Sequence, residues 1–138
     1  MFLIHKDLCS NLKIKIKYSY FYSNKLFIIK YFYNIEILFS SASRCGHYKM
    51  VKSLLKNKQI DPSIRNNYAI RGTCEIGHYK IVKLLLKDKR VDPSNNDNYA
   101  IRLASTKGYL KIVKLLLKDK GINKTNSIIK NIIYKLKT

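Results

Sequence analysis

Residues 78–102 read HYKIVKLLLKDKRVDPSNNDNYAIR, and residues 47–71 read HYKMVKSLLKNKQIDPSIRNNYAIR, so one block occurs twice at a spacing of 31 residues. A third copy begins at residues 109–124 with YLKIVKLLLKDKGINK. Three glycines keep the same 31-residue step: Gly46, Gly77 and Gly108. Self-similarity at a period of roughly 20 to 50 residues is typical of solenoids and other repeat arrays. The period therefore predicts a repeat architecture.

Each unit is predicted to contain two short helices and a loop. Apolar side chains recur at helical spacing in the second segment of the unit: Ile81, Val82, Leu85 and Leu86. The sequence DPS at residues 92–94 ends this helix, because proline lacks an amide donor and keeps the preceding residue out of the α region. The polar run at residues 95–98 is typical of a tight turn or finger. The first helix of the next unit follows at residues 99–107, where small alanines let a neighbouring unit approach closely, and Gly108 permits the next turn.

These positions resemble the ankyrin repeat family, whose unit is a β-turn finger and two antiparallel helices. The family's Gly-His turn matches residues 46–47 and 77–78, and its second-helix pattern (I/V)V-x-LLL matches residues 81–86 and 112–117. Its Ala-Asp-x-Asn sequence before the finger resembles VDPS at residues 91–94. The version seen here, with NNYAIRLAS and KLLLKDKRVDPS, looks similar to divergent ankyrin arrays of giant DNA viruses. The resemblance implies an all-α, ankyrin-type helix-turn-helix repeat solenoid.

The chain departs from the family pattern in two places. Tyr-Ala-Ile-Arg at residues 68–71 and 99–102 replaces the Thr-Pro-Leu-His that opens the family's first helix. The unit has 31 residues instead of the family's usual length of about 33, and the deletion falls in the finger. We therefore expect shortened finger loops. These two departures affect two features of the family: the regular hairpin of the finger, and the hydrogen bonds that the family's histidine makes between repeats.

The period predicts how the chain is divided. The three repeats are residues 37–67, 68–98 and 99–129. Residues 130–138 form the end of a C-terminal capping helix, whose isoleucines fall at helical spacing after a possible N-cap at Asn126. Residues 1–36 are crowded with aromatic and basic side chains and fit no repeat register. They are interpreted either as a degraded repeat or cap, or as a disordered remnant.

The composition is strongly basic, with a formal net charge of +20 in 138 residues. Such a charge could attract nucleic acid, acidic proteins or an anionic membrane surface. An A/T-biased coding sequence produces the same excess of lysine, and a lysine stripe on a helix is usually its solvated side. The alternative is a convex lysine ladder that holds a polyanion through its phosphates. The candidate ladder residues are Lys49, Lys52, Lys80, Lys83, Lys111 and Lys114, extended by Lys56, Lys87 and Lys118.

Groups suited to catalysis are sparse. The cysteines show no C-x-x-C spacing, which argues against a zinc site: Cys9, Cys45 and Cys74. His47 and His78 occupy a repeated turn position that Tyr109 fills in the third copy, so we predict a structural role for them. The sequence contains no Gly-rich phosphate loop and no nucleophile motif. These features predict a protein that is not an enzyme and has no cofactor and no metal.

Recognition is the function class that remains. The resemblance implies a concave face lined by fingers and first helices, on which variation between repeats marks positions that packing does not constrain. Here the finger changes from IRNN at residues 64–67 to NNDN at residues 95–98. The candidate contact residues are Arg65, Asn66, Asn67, Arg71, Glu75, Asn96, Asp97, Asn98, Arg102 and Thr106. The other interpretation is that a polar finger tip varies because nothing constrains it.

These observations predict a protein–protein interaction module that binds a partner through its finger loops and concave face. Polyanion or nucleic-acid binding through the lysine ladder is the alternative. We expect a monomer without membrane association, in the cytoplasm or nucleus. A membrane span at residues 26–39 is not expected, because Lys30 and Glu36 interrupt a short apolar stretch. Residues 1–4 form too short an apolar run for a signal peptide.

Overall fold

The structure, a computed structural model, describes residues 35–136 of the chain. These residues contain seven helices and no strand. The helices are α1 (Ile35–Arg44), α2 (Tyr48–Leu54), α3 (Ile64–Ile76), α4 (Tyr79–Leu85), α5 (Asn95–Thr106), α6 (Leu110–Leu116) and α7 (Ser127–Lys135). The predicted N-terminal segment, residues 1–36, lies outside the described residues apart from Ile35 and Glu36, which begin α1.

The helices stack in two layers. In one layer, α1 packs against α3 and α3 against α5; in the other, α2 packs against α4 and α4 against α6. Within each unit the first helix contacts the second, giving the pairs α1–α2, α3–α4 and α5–α6. Each unit therefore contacts the next through both layers. The predicted all-α repeat solenoid is confirmed.

The core runs along the array between the two layers. The buried side chains of the second helices are Val51, Ile81, Val82, Leu85, Ile112, Val113 and Leu116. The first helices contribute four buried alanines: Ala42, Ala69, Ala100 and Ala104. Because an alanine side chain ends at Cβ, these helices can lie close together without leaving a void. The first helices also bury larger side chains, among them Phe39, Ile70 and Ile101.

A glycine with a left-handed φ lies between the two helices of each pair. The φ values are +80° at Gly46, +95° at Gly77 and +74° at Gly108. At the first two positions the next unit also packs a ring onto the backbone. A Cβ on Gly46 would lie 2.7 Å from the His78 ring, and one on Gly77 would lie 2.8 Å from the Tyr109 ring. These two positions therefore require glycine both for conformation and for close approach.

The loop after each second helix begins with a turn closed by a side chain. Asp61 Oδ1 accepts hydrogen bonds from the Ser63 amide at 2.9 Å and from its hydroxyl at 2.6 Å, and Asp92 does the same with Ser94. The hydrogen bonds from Ser63 lower the pKa of the Asp61 carboxyl. In the third copy Asn123 makes the equivalent bonds with Thr125. Since an amide closes the turn as well as a carboxylate, the loop requires the oxygen acceptor and not the charge.

The finger, which forms the start of α3 and α5 within the bounds given above, is a left-handed turn in place of a β-hairpin. Residues 65–67 and 96–98 all have φ between 53° and 57°. Asparagine and aspartate adopt this conformation more readily than other non-glycine residues, which accounts for the polar composition of the finger. The Asn67 Oδ1 atom accepts a hydrogen bond from the Asp92 amide at 2.9 Å. The end of one finger is thereby joined to the loop of the next unit.

Helix α7 stands in the register of a first helix, because its N-cap Asn126 lies one 31-residue period after Asn95. The Asn126 Oδ1 atom accepts a hydrogen bond from the Ile128 amide at 2.9 Å. Asn131, which takes the place that Ala100 has in α5, lines a groove of about 270 Å³ between α5 and α7. The helix begins at Ser127, so the predicted boundary between residues 129 and 130 falls inside it.

Candidate binding faces

The finger face is the surface formed by the fingers and the first helices, and a ladder of rings and guanidinium groups runs along it. The Arg71 Cζ atom lies 5.8 Å from the Tyr68 ring centre and 5.5 Å from the Tyr99 ring centre. The Arg102 Cζ atom lies 5.5 Å from the Tyr99 ring centre. A cation over an aromatic face is attracted by the quadrupole of the ring. Arg71 therefore joins two neighbouring units through their tyrosines.

The two ladder arginines also hold their own fingers. Arg71 donates a hydrogen bond from a terminal nitrogen to the Arg65 carbonyl at 3.0 Å. Arg102 forms an ion pair with Asp97 at 3.7 Å. The Tyr-Ala-Ile-Arg sequence, a departure from the family pattern, thus supplies its own connection between units and sets the position of the finger tips.

Most of the predicted contact residues come together on the finger face. Thr106 is exposed at the end of α5. Four finger residues are also exposed: Arg65, Asn66, Asn96 and Asp97. Glu75 is already engaged, because its carboxylate forms an ion pair with Arg44 of α1 at 2.8 Å. This ion pair connects the first unit to the second.

Two predicted contact residues lie in the interior instead. Asn67 and Asn98 are only 4% and 7% exposed. The side-chain oxygen of Asn67 is occupied by the Asp92 amide. A buried side chain offers no surface to a partner, so we leave both residues out of the proposed contact surface. Sequence reasoning grouped them with the finger tips because all the residues of the second finger are polar.

The lysine face lies on the other layer, and all nine of its lysines are exposed. They are Lys49, Lys52, Lys56, Lys80, Lys83, Lys87, Lys111, Lys114 and Lys118. The ion pairs Arg44–Glu75, Arg90–Asp88 and Arg102–Asp97 are made by arginines, and no lysine of this face forms an ion pair with another described residue. No acidic residue occurs in residues 48–56, 79–87 or 110–118. No lysine of this face is therefore paired with a carboxylate in the part of the chain that the structure describes, and the nearest acids in sequence are Asp88 and Asp119.

Sequence reasoning missed a cleft on the lysine face. The cleft has a volume of about 350 Å³, and Tyr48, Tyr79, His78, Lys80 and Lys111 lie along it. Both tyrosines are 37% exposed, and they occupy the same register position in consecutive units. The repeated tyrosine at the start of the second helix was visible in the sequence. This repeated tyrosine indicates a cleft only when two neighbouring units are packed side by side.

The side chains whose pKa values are shifted have structural roles. Burial raises the pKa of the Cys74 thiol to about 12, so this side chain stays protonated and is a poor nucleophile. A hydrogen bond from the Arg90 side chain lowers the pKa of the Asp88 carboxyl. The Arg90 guanidinium also donates to the Ile60 carbonyl of the preceding unit at 2.7 Å. These two side chains therefore form a further connection between units.

Residues 35–136 contain no group of three or more His, Cys, Asp or Glu side chains placed to hold a metal ion. Among the same residues, no helix is both long enough and apolar enough to cross a membrane.

Stacked helix pairs, left-handed glycine turns and repeated fingers define a helical repeat solenoid. The family model of ankyrin repeats, in three copies, matches residues 37–127. This match covers more than half of the chain, which therefore belongs to the ankyrin repeat family. No curated protein and no solved structure matches the chain.

Proposed function

We propose that the chain is a non-enzymatic protein-binding module that holds its partner on the finger face. Ankyrin repeats generally serve as protein–protein interaction modules and are typically non-enzymatic. The observation that carries the proposal is the ladder of Tyr68, Arg71, Tyr99 and Arg102. Tyrosine and arginine are the residue types enriched at interface hot spots. Because the ladder is already ordered by its own contacts, binding costs little side-chain entropy.

The proposed contact surface adds the exposed finger tips to this ladder. Its residues are Arg65, Asn66, Arg71, Asn96, Asp97, Arg102 and Thr106. The first finger presents the positive Arg65, and one period later the second finger presents the negative Asp97. Charge complementarity across an interface orients the partner and excludes wrong ones. A partner with an acidic group opposite the first finger and a basic group opposite the second fits this surface.

Affinity capture with the purified chain tests the proposal. The test variant is R65N/D97N/R102Q, because asparagine adopts the left-handed conformation of the fingers well and the charges are removed without strain. The matched control is K52Q/K83Q on the lysine face. We expect proteins captured by the wild type, identified by mass spectrometry, to be lost with the test variant and kept by the control. Circular dichroism checks that each variant is folded, and unchanged capture by the folded test variant would refute the proposal.

A further inference from the structure

The protein-binding proposal leaves the lysine face unused. In each unit its three lysines stand at i, i+3 and i+7; the first two lie on one side of the second helix, the third follows the end of that helix, and the set recurs in all three units. All are exposed, and none is paired with a carboxylate in the described part of the chain. Regularly spaced positive charges suit a polymer whose negative charges are also regularly spaced. Lysine suits this role, because its flexible stem can follow phosphates whose positions vary.

Aromatic rings stand among these charges. Tyr48 and Tyr79 open the second helices of consecutive units and leave 37% of their surface exposed, beside a cleft of about 350 Å³. The His78 ring also lines this cleft, between Lys80 and Lys111. A purely solvated face gains nothing from exposed tyrosines. Aromatic rings within a basic groove are, in contrast, the combination on which unpaired bases stack.

We propose that the lysine face binds single-stranded nucleic acid. The lysines contact the phosphates, and one or two bases stack on Tyr48 and Tyr79 in the cleft. A duplex suits this surface less well, because its bases are stacked inside the helix and cannot reach the rings. An acidic protein would use the lysines and have no need of the rings. The proposal involves no residue of the finger face, so the two functions can fail independently.

Fluorescence anisotropy with the full-length chain and a labelled oligo-dT of about 20 nucleotides tests this directly. The first variant is Y48L/Y79L, since Leu110 occupies the same position in the third unit and shows that the fold accepts leucine there. Stacking is worth roughly 1–3 kcal/mol per base, so we expect at least about a fivefold loss of affinity. The salt dependence should stay unchanged, because no phosphate contact is removed.

The second variant, K80Q/K111Q, removes charge beside the cleft and leaves the rings. Each phosphate neutralised on a single strand contributes roughly 0.7 to the slope of log affinity against log salt concentration. Because two lysines are removed, we expect this slope to become shallower by about 1.4. Substitution of Leu110 by tyrosine should strengthen oligo-dT binding by extending the row of rings. Tyr134 is 69% exposed on α7, away from the lysine face, so Y134L is the matched control and should bind like the wild type.

Two results would overturn the proposal. In the first, a duplex of equal length binds as tightly as oligo-dT at the same salt, and Y48L/Y79L binds oligo-dT like the wild type; the face would then act through charge alone. In the second, a polyglutamate of equal charge binds more tightly than oligo-dT, which would assign the face to an acidic protein. Tighter binding of oligo-dT than of either competitor, with a loss in Y48L/Y79L, supports it.

Discussion

At the scale of single residues, several side chains act across a repeat boundary. The rings of His78 and Tyr109 cover the glycines of the preceding units. The His78 ring also lies within hydrogen-bonding distance of the Arg44 carbonyl, at 3.0 Å from its Nε2 atom. The stability of a repeat array comes from the units and from the interfaces between neighbours. Substitutions at these positions should therefore weaken an interface as well as a turn.

The turn glycines allow a matched test of this idea. Gly77 and Gly108 both have a positive φ, so alanine costs about 1–2 kcal/mol of backbone strain at either position. Only at Gly77 would the new Cβ meet a ring, at 2.8 Å, while nothing lies within 4 Å of a Cβ on Gly108. We expect G77A to lower the free energy of unfolding by about 1–3 kcal/mol more than G108A. Urea unfolding followed by circular dichroism measures both, and equal losses would mean that the Tyr109 ring simply moves away.

At the scale of elements, the ends of helices and the fingers are built from recurring side-chain turns. The second finger and the loop before it repeat the left-handed turn and the Asp–Ser hydrogen bonds of the first, but Asn98 Oδ1 has no hydrogen-bond partner among the described residues, whereas Asn67 Oδ1 accepts from the Asp92 amide. Helix α7 differs, because its N-cap Asn126 has an extended ψ of 134° and no left-handed finger precedes it. It packs on the array through Ile129 and Ile132 on one side. An element at the end of an array with few neighbours is expected to open most easily.

Replacing the N-cap of α7 tests how far this helix depends on its own cap. N126A removes the side-chain oxygen that accepts from the Ile128 amide, whereas N126D keeps an acceptor there. We expect N126A to weaken α7 by about 1 kcal/mol and N126D to leave it nearly unchanged. Hydrogen exchange should show faster exchange of the α7 amides in N126A, with the α3 amides unaffected. If N126A exchanged like the wild type, packing alone would hold the helix.

At the scale of the whole molecule, arginines and lysines have separate roles. Arg44, Arg71, Arg90 and Arg102 bind to carbonyls, carboxylates or rings that connect or brace units. The lysines of the lysine face remain unpaired on the surface, and the chain carries a formal net charge of +20. Such an excess of one sign destabilises the compact state through self-repulsion. The charge distribution therefore lowers the stability of the free protein.

Screening by salt should consequently stabilise the free protein. The Debye length falls from about 30 Å at 0.01 M salt to about 8 Å at 0.15 M, which weakens repulsion between exposed lysines. We expect the thermal midpoint to rise by several degrees over this range, measured by circular dichroism in sodium chloride. The variant K49Q/K80Q/K111Q should show a smaller rise. A midpoint that falls with salt would contradict this prediction, because it would mean that favourable ion pairs outweigh the repulsion.

The sequence by itself determined the period, the helical repeat architecture and the exposed lysine stripe. These features depend on neighbours within a few positions: an apolar stripe such as Ile81, Val82 and Leu85, a proline after an aspartate, or a glycine between two helices. Local patterns of this kind are encoded in the spacing of residue types. The finger tips were recognised for the same reason, because their polar residues vary between otherwise similar copies.

Only the tertiary structure decided which polar residues are exposed on the surface and which connect neighbouring units. Asn67 is buried and accepts a hydrogen bond from the Asp92 amide, 25 positions away. The contact of Arg90 with Ile60 spans 30 positions, and that of His78 with Arg44 spans 34. Each of these separations is close to one repeat, so the contact exists only when two units are stacked. The cleft between Tyr48 and Tyr79 arises in the same way. A linear pattern shows that two units are alike, whereas the distance between their side chains is set by how the units pack.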